Sequence, residues 1–343
     1  MTQIEEARPP AGVRRVWFWL FAMNLLVTIV LVGSLAPHFK DSAELVRMRN
    51  ALLLQPEPAM YEWTPANVPE GFAVEPAEPI PLYADIVTRH GLRVEGDDWA
   101  TALKIGQHLL VDGRRGGGAI QSDLADTYAR ITEQGEGYCG DFADSFTGLA
   151  TTAGIFSRPW AFSFDGFGGR GHIFNEIWDS QNARWIMIDV FNNFYVTDTS
   201  GRPLSAMAFR DALMRHQSDV KFAPVKPTAR RAFTHDEKAL EFYRRGLPEW
   251  YMWWGNNVFE YDRAPLVRML GETHRALEQL GGVAAGVHPR IRVLETSDNL
   301  PQRETMTELR VRLLAIVVLS LVTLICLCAW LLMRRRHASG IPA

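Results

Sequence analysis

Two uncharged apolar runs, one near each end, restrict this chain more than any other feature. Val16 to Ala36 (VWFWLFAMNLLVTIVLVGSLA) and Leu313 to Met333 (LLAIVVLSLVTLICLCAWLLM) carry no ionisable acid or base. Each matches the about 20 apolar residues that a helix needs to cross a bilayer. The first run exceeds the ~7–15-residue core of a secretion signal. It lacks an Ala-x-Ala-like cleavage site, although Gly33-Ser34-Leu35-Ala36 imitates one weakly, so its retention in the membrane is expected. Arg8, Arg14 and Arg15 precede the first run, and Arg334, Arg335 and Arg336 follow the second. Basic flanks stay on the cytoplasmic side. The expected topology is therefore two-pass, with cytoplasmic ends at 1–15 and 334–343 and spans at 16–36 and 311–333. Residues 37–310 then lie across the membrane.

Charge narrows what that central part can bind. The whole chain has 36 Lys and Arg against 39 Asp and Glu. The two ends take seven Arg and two Glu, which leaves 29 basic and 37 acidic residues in 37–310, formally −8. An acidic domain is a poor partner for nucleic acid, and Arg334–Arg336 read as a topology anchor. The length of 37–310 suits one domain with extensions, or two subdomains.

Residues 37–94 read as a stalk and linker. Leu45, Met48, Leu52 and Leu53 share a helical face within 37–60, and 56–82 is rich in Pro and Glu, as in an extended linker or a surface strap. The compact part is expected from about 95. Asp97-Asp98 caps an amphipathic helix through Leu110, and Asp112–Gly118 makes a flexible turn. Those glycines do not make a phosphate loop, because no Lys-Ser/Thr follows them. Ser122 caps a short helix through Ile131, and a further helix spans 141–153. Three strands follow, at 158–164, 172–178 and 184–190, the last two joined as a hairpin. The expected fold class is α+β. Further on, 236–246 and 262–280 read as amphipathic helices within a helical extension, 211–310. Residues 288–310 read as a polar return to the second span.

Cys139 is the one cysteine outside the apolar runs; Cys326 and Cys328 lie within the second, as small apolar fillers. The local order is Gly137-Tyr138-Cys139-Gly140-Asp141-Phe142-Ala143, then Gly171-His172-Ile173-Phe174-Asn175-Glu176, then Trp185-Ile186-Met187-Ile188-Asp189. A helix starting at or just after Cys139 favours a thiolate there, through the unpaired N–H groups and the dipole. Adjacent strands can bring His172 to Asp189. A thiol, an imidazole and a carboxylate in that order are the parts of a nucleophilic triad. Taken singly, each has a plainer reading: a buried cysteine, a satisfied core histidine, a turn-capping aspartate. A zinc site from the same residues would need a third or fourth ligand, and the chain has no CxxC or HxxxH pair.

These three segments together resemble the transglutaminase-like superfamily, over roughly 95–210. The resemblance implies a papain-like core, with a nucleophile helix packed on an antiparallel sheet. It implies Cys139 as nucleophile, His172 as base and then acid, and Asp189 as the group that orients the imidazole. The backbone N–H of Cys139 would be one oxyanion donor and Gln134 a candidate for the second. Phe174 stands where many members have Trp, and Val190-Phe191 where many have Pro and a hydroxyl residue. The implied activity is acyl transfer at an amide, with hydrolysis favoured over cross-linking and neither metal nor cofactor needed. The expected setting is a bacterial inner membrane, and the expected substrate a peptide, a protein or a glycan amide. Surface-polysaccharide machinery is the kind of partner the resemblance suggests. A non-catalytic peptide- or glycan-binding scaffold, or a structural subunit of an export complex, is the competing expectation. Trp250-Tyr251-Met252-Trp253-Trp254 reads as a sugar or peptide platform, a membrane-interface contact, or a packed lid or core segment.

Overall fold

The computed structural model describes residues 11–55, 59–111, 118–120, 122–216 and 220–338. Arg8 and most of the expected turn at Asp112–Gly118 fall outside the described residues. Twelve α-helices are described: α1 (Ala11–Ser34), α2 (Ser42–Leu53), α3 (Pro81–Arg89), α4 (Asp98–Leu109), α5 (Leu124–Ala129), α6 (Cys139–Thr152), α7 (Ala206–Met214), α8 (Asp236–Gly246), α9 (Val258–Arg263), α10 (Pro265–Gly271), α11 (Arg275–Ala285) and α12 (Leu300–Ala338). The strands are β1 (Ser157–Ser163), β2 (Gly171–Asp179), β3 (Arg184–Ile188), β4 (Tyr195–Thr197), β5 (Lys221–Ala223), β6 (Trp250–Trp254) and β7 (Arg290–Val293). The chain is α+β, with two long apolar helices flanking a central domain.

α1 and α12 pack side by side, with the rings of Phe18 and Trp330 5.7 Å apart. Arg14, Arg15 and Arg334 meet at one end of the pair. The most apolar windows of the two helices are 0% and 6% buried, so the chain itself does not cover them. Both are long and apolar enough to cross a membrane. At about 1.5 Å per residue, the 24 residues of α1 exceed the ~30 Å hydrocarbon core. α12 is one 39-residue helix whose polar first turns run straight into its apolar part.

Five strands form an antiparallel sheet in the order β3-β2-β1-β6-β7. Period-2 alternation sends successive side chains to opposite faces. In β3, Trp185 and Met187 enter one core, while Ile186 and Ile188 enter the other. The second core takes Phe142, Phe146, Leu149 and Ala150 from α6, and Ala102, Ile105 and Leu109 from α4. That spacing on α6 is the helical stripe expected for 141–153. On the opposite face, α7 and α8 contribute Phe209, Leu213, Leu240 and Tyr243.

Three expectations change. The segment 37–94 does not stand off as a stalk. α2 packs on β7, α11 and α12, and Tyr61, Trp63 and Phe72 of the strap are buried in the aromatic core. Arg158 fastens the strap: its Nη1 donates to Tyr61 O at 2.9 Å, and its guanidinium lies between the rings of Trp63 and Trp185. Secondly, 211–310 is not wholly helical. It supplies β6 and β7 to the main sheet and β5 to a two-stranded ribbon with β4. Trp250–Trp254 is a sheet strand, the packed-core reading of the three. Its apolar run masks the alternation because both faces are covered. Thirdly, the expected helix 262–280 is broken. Pro265 begins α10 and Gly271 ends it, since Pro lacks the N–H that would continue α9.

Candidate active site

Cys139 opens α6, as its first residue. The chain reaches it through Gly137 at φ 103, a left-handed conformation that suits glycine. A Cβ there would also come within 3.3 Å of Asp141. Asp141 holds the turn: its Oδ2 accepts the N–H of Tyr138 at 2.7 Å and that of Ile120 at 3.1 Å. Burial raises the Asp141 carboxyl above its usual range, against those two N–H bonds. The N–H groups of Cys139 and Gly140 precede the first intrahelical donor, Phe142, which bonds Tyr138 O at 3.1 Å. Asn175 on β2 ties α6 to the sheet, donating to Ala143 O and to Thr147 Oγ1 at 3.2 and 2.9 Å.

His172 sits near the start of β2, and Asp189 just beyond β3. The imidazole Nε2 and Asp189 Oδ2 are 2.6 Å apart, with both side chains almost wholly buried. The Cys139 side chain also acts on the imidazole, favouring its charged form. With Nε2 engaged by Asp189, Nδ1 is the nitrogen left for the thiol. Burial alone disfavours the imidazolium, but the Asp189 charge, its hydrogen bond and the Cys139 side chain outweigh it. The net effect raises His172 to about 10. Burial likewise opposes the Asp189 carboxylate, yet the His172 charge and hydrogen bonds from His172, Tyr243 and Asn192 hold it below its usual value.

Two members of this network were not singled out in the sequence. Asn192 donates its side-chain amide to Asp189 Oδ2 at 2.9 Å and its backbone N–H to Oδ1 at 3.0 Å. Tyr243, on α8, donates its hydroxyl to Oδ2. The Asn192 contact depends on a tight turn in which Asp189 and Phe194 exchange backbone hydrogen bonds at 2.9 and 3.0 Å. The turn thus closes with Val190-Phe191 in place of Pro and a hydroxyl residue. An Asn in a turn was the one available hint. Tyr243 lies 54 residues from Asp189, where local sequence gives no guide.

Gln134 is not brought to the site. It ends a helical turn at Arg130–Gln134, its side chain is exposed, and Gly135 at φ 68 reverses the chain after it. It is absent from the residues that line the cavity beside Cys139. That cavity has a volume of about 710 Å³. Cys139, Gly140 and His172 border it, together with Tyr138, which is half-exposed. A Cβ on Gly140 would meet nothing within 4 Å, so the approach to the thiol is open there. Among the described residues, no three His, Cys, Asp or Glu side chains converge as metal ligands.

The arrangement presents a thiol, an imidazole and a buried carboxylate in series, at a helix start, on the wall of a cavity. Such a series can generate a nucleophile, bind a developing oxyanion at backbone N–H groups and return a proton. Residues 119–190 match the family model of the transglutaminase-like superfamily, a stretch that contains Cys139, His172 and Asp189. No curated protein and no solved structure matches the chain.

Proposed function

For a chain that carries a transglutaminase-like domain between two apolar helices, we propose a membrane-anchored thiol enzyme that removes an acyl group from an amide, with water as acceptor. The observation that carries this reading is the buried His172–Asp189 pair, with His172 and Cys139 together on the cavity wall. His172 takes the Cys139 Sγ proton at Nδ1. The thiolate adds to the amide carbonyl carbon, and the oxyanion is met by the N–H groups of Cys139 and Gly140. The imidazolium passes its proton to the nitrogen as the C–N bond breaks, and a thioester remains. Water then gives a proton to His172 while its oxygen adds to the thioester carbonyl. The C–S bond breaks, the acid leaves, and the proton returns to sulfur. Asp189 stays ionised throughout and holds the ring.

In this reading, 37–310 works outside the cytoplasm of a bacterium, tethered in the inner membrane with both termini cytoplasmic. The basic clusters at Arg14, Arg15 and Arg334, meeting at one end of the helix pair, support that orientation. The substrate is a peptide, a protein or an amide-bearing glycan.

The test is acylation of the full-length protein in detergent micelles by an activated aryl ester, read by peptide mass spectrometry. A hydroxylamine-labile increment on the Cys139 peptide, lost in His172→Ala, is expected. An unmodified Cys139, or labelling indifferent to His172, refutes the enzyme and leaves a binding scaffold.

A further inference from the structure

The cavity continues well past the thiol, and its far part is built differently. β6 alternation sends Trp250, Met252 and Trp254 into the aromatic core and leaves Tyr251 and Trp253 on the cavity face. Arg49, from α2, lays its guanidinium over Trp253, with Cζ 5.0 Å from the ring centroid. Its Nε and Nη2 donate to Asn50 Oδ1 at 3.0 and 2.7 Å. Among the described residues Arg49 makes no ion pair. Asp144, further along α6 than Cys139, lines the same space and receives no hydrogen bond among the described residues. Both side chains keep accessible surface although protein surrounds them, because that surface faces the cavity.

Several other charged groups here have partners, while Asp262, which also lines the cavity, makes no ion pair among the described residues. Arg275 Nη1 bonds Glu278 Oε1 at 2.6 Å, and Tyr261 donates to the same oxygen at 3.2 Å. His288, beside Trp253, bonds Pro289 O through Nδ1 at 3.2 Å. Burial and the Arg49 charge depress it to about 3, so it is neutral. Burial raises Asp144 to about 7 and lowers Arg49 to about 10, in spite of their mutual attraction. Arg49 and Asp144, neither in an ion pair among the described residues, thus border one cavity without closing on each other. A purely anionic ligand would meet Asp144 and Glu278, and a purely cationic one Arg49 and Arg275. A ligand with both charges and no net charge suits the pair.

We propose that Arg49 and Asp144 form a subsite for a free α-amino acid end, with Arg49 binding its carboxylate and Asp144 its ammonium, beyond the amide presented to Cys139. The site rests on the acyl-transfer reading of Cys139 and names the substrate class: an amide whose bound portion ends in a zwitterionic α-amino acid. Trp253 lies against the guanidinium and Asn50 takes its Nε and Nη2, which fixes the group and leaves Nη1 for a carboxylate. Tyr251 lines the same cavity as Arg49 and Cys139.

The experiment uses full-length protein in micelles and a graded set of alkylating probes. Diaminopropionic acid, diaminobutyric acid, ornithine and lysine, each iodoacetylated on the side-chain nitrogen, carry the zwitterionic end at increasing reach. Matched probes lacking the amine, the carboxylate or both serve as references. At one chain length the zwitterion should alkylate Cys139 at least about tenfold faster than the uncharged probe. Arg49→Gln and Asp144→Asn should each abolish most of that ratio, and Arg49→Lys should restore part. A ratio near one at every length in the parent overturns the subsite, whether or not the variants fold. So does a carboxylate-only or ammonium-only probe that equals the zwitterion. Failure of the thiol reading looks different: plain iodoacetamide would then react with Cys139 equally in the parent and in His172→Ala.

Discussion

Asp189→Asn should invert the pH dependence of stability. In the parent, Asp189 raises the folded His172 above its unfolded value near 6.5. A raised group contributes stability that is complete below the unfolded pKa and is lost as pH rises towards the folded one. Between these limits the native state holds one more proton than the unfolded chain, so stability falls by about 1.4 kcal/mol per pH unit from this group. The neutral amide of the variant would leave the imidazole buried without a counter-charge. Burial then pushes His172 below 6.5, and stability is lost as pH falls through that value instead. Both proteins should carry Cys139→Ser, which removes the thiol's own influence on His172 and leaves the Asp189 charge as the difference between them. The parent's advantage should be largest at pH 6 and shrink by about 2 kcal/mol from pH 7 to 8.5. At about 2–4 °C per kcal/mol for a domain of this size, the gap in thermal midpoint narrows by about 4–8 °C. Tryptophan fluorescence in micelles reads it. Midpoint curves that run parallel from pH 6 to 8.5 would refute the coupling of His172 to Asp189.

Three further outcomes follow from particular contacts. Tyr243→Phe removes one of the donors to the Asp189 carboxylate and should cost about 1.5–3 kcal/mol, the range for a hydrogen bond to a charged group; thermal unfolding beside the parent checks it. Arg158→Met leaves Glu176 buried with only Trp160 Nε1 and the Ala206 N–H as donors, at a cost of about 3–5 kcal/mol. Adding Glu176→Gln should recover part of that midpoint loss, and no recovery would refute the charge argument. Gly148→Ala places a Cβ 2.5 Å from Tyr83 Cε2, and this overpacking between α6 and α3 should lower stability by about 1–3 kcal/mol in the same assay.

The parts of the site that could be read from sequence were those with a local signature. A Cys before a helical stripe, a His opening an apolar run and an Asp ending the next one marked three candidates: His172 pairs with Asp189, and His172 and Cys139 border one cavity. The runs expected at 158–164, 172–178 and 184–190 fall on β1, β2 and β3, and 236–246 on α8. Gln134 failed because proximity in sequence ignores the reversal at Gly135. Tyr243 and Arg49 were beyond reach for another reason. Each sits on a helix whose exposed and buried faces can be read, but the partner it meets is set by packing between distant segments. The strand at Trp250–Trp254 was ambiguous because a strand covered on both faces loses the alternation that identifies it.

The most direct measurement is the rate of iodoacetamide alkylation at Cys139 at pH 6, in the full-length protein and in His172→Ala. Peptide mass spectrometry separates this thiol from Cys326 and Cys328. At that pH an ordinary thiol is almost entirely protonated and slow, whereas a thiol that has given its proton to His172 stays reactive. The account predicts that the parent reacts at least about tenfold faster than the variant. Equal rates would mean that the Cys139–His172 contact moves no proton, and the acyl-transfer reading would fall with it.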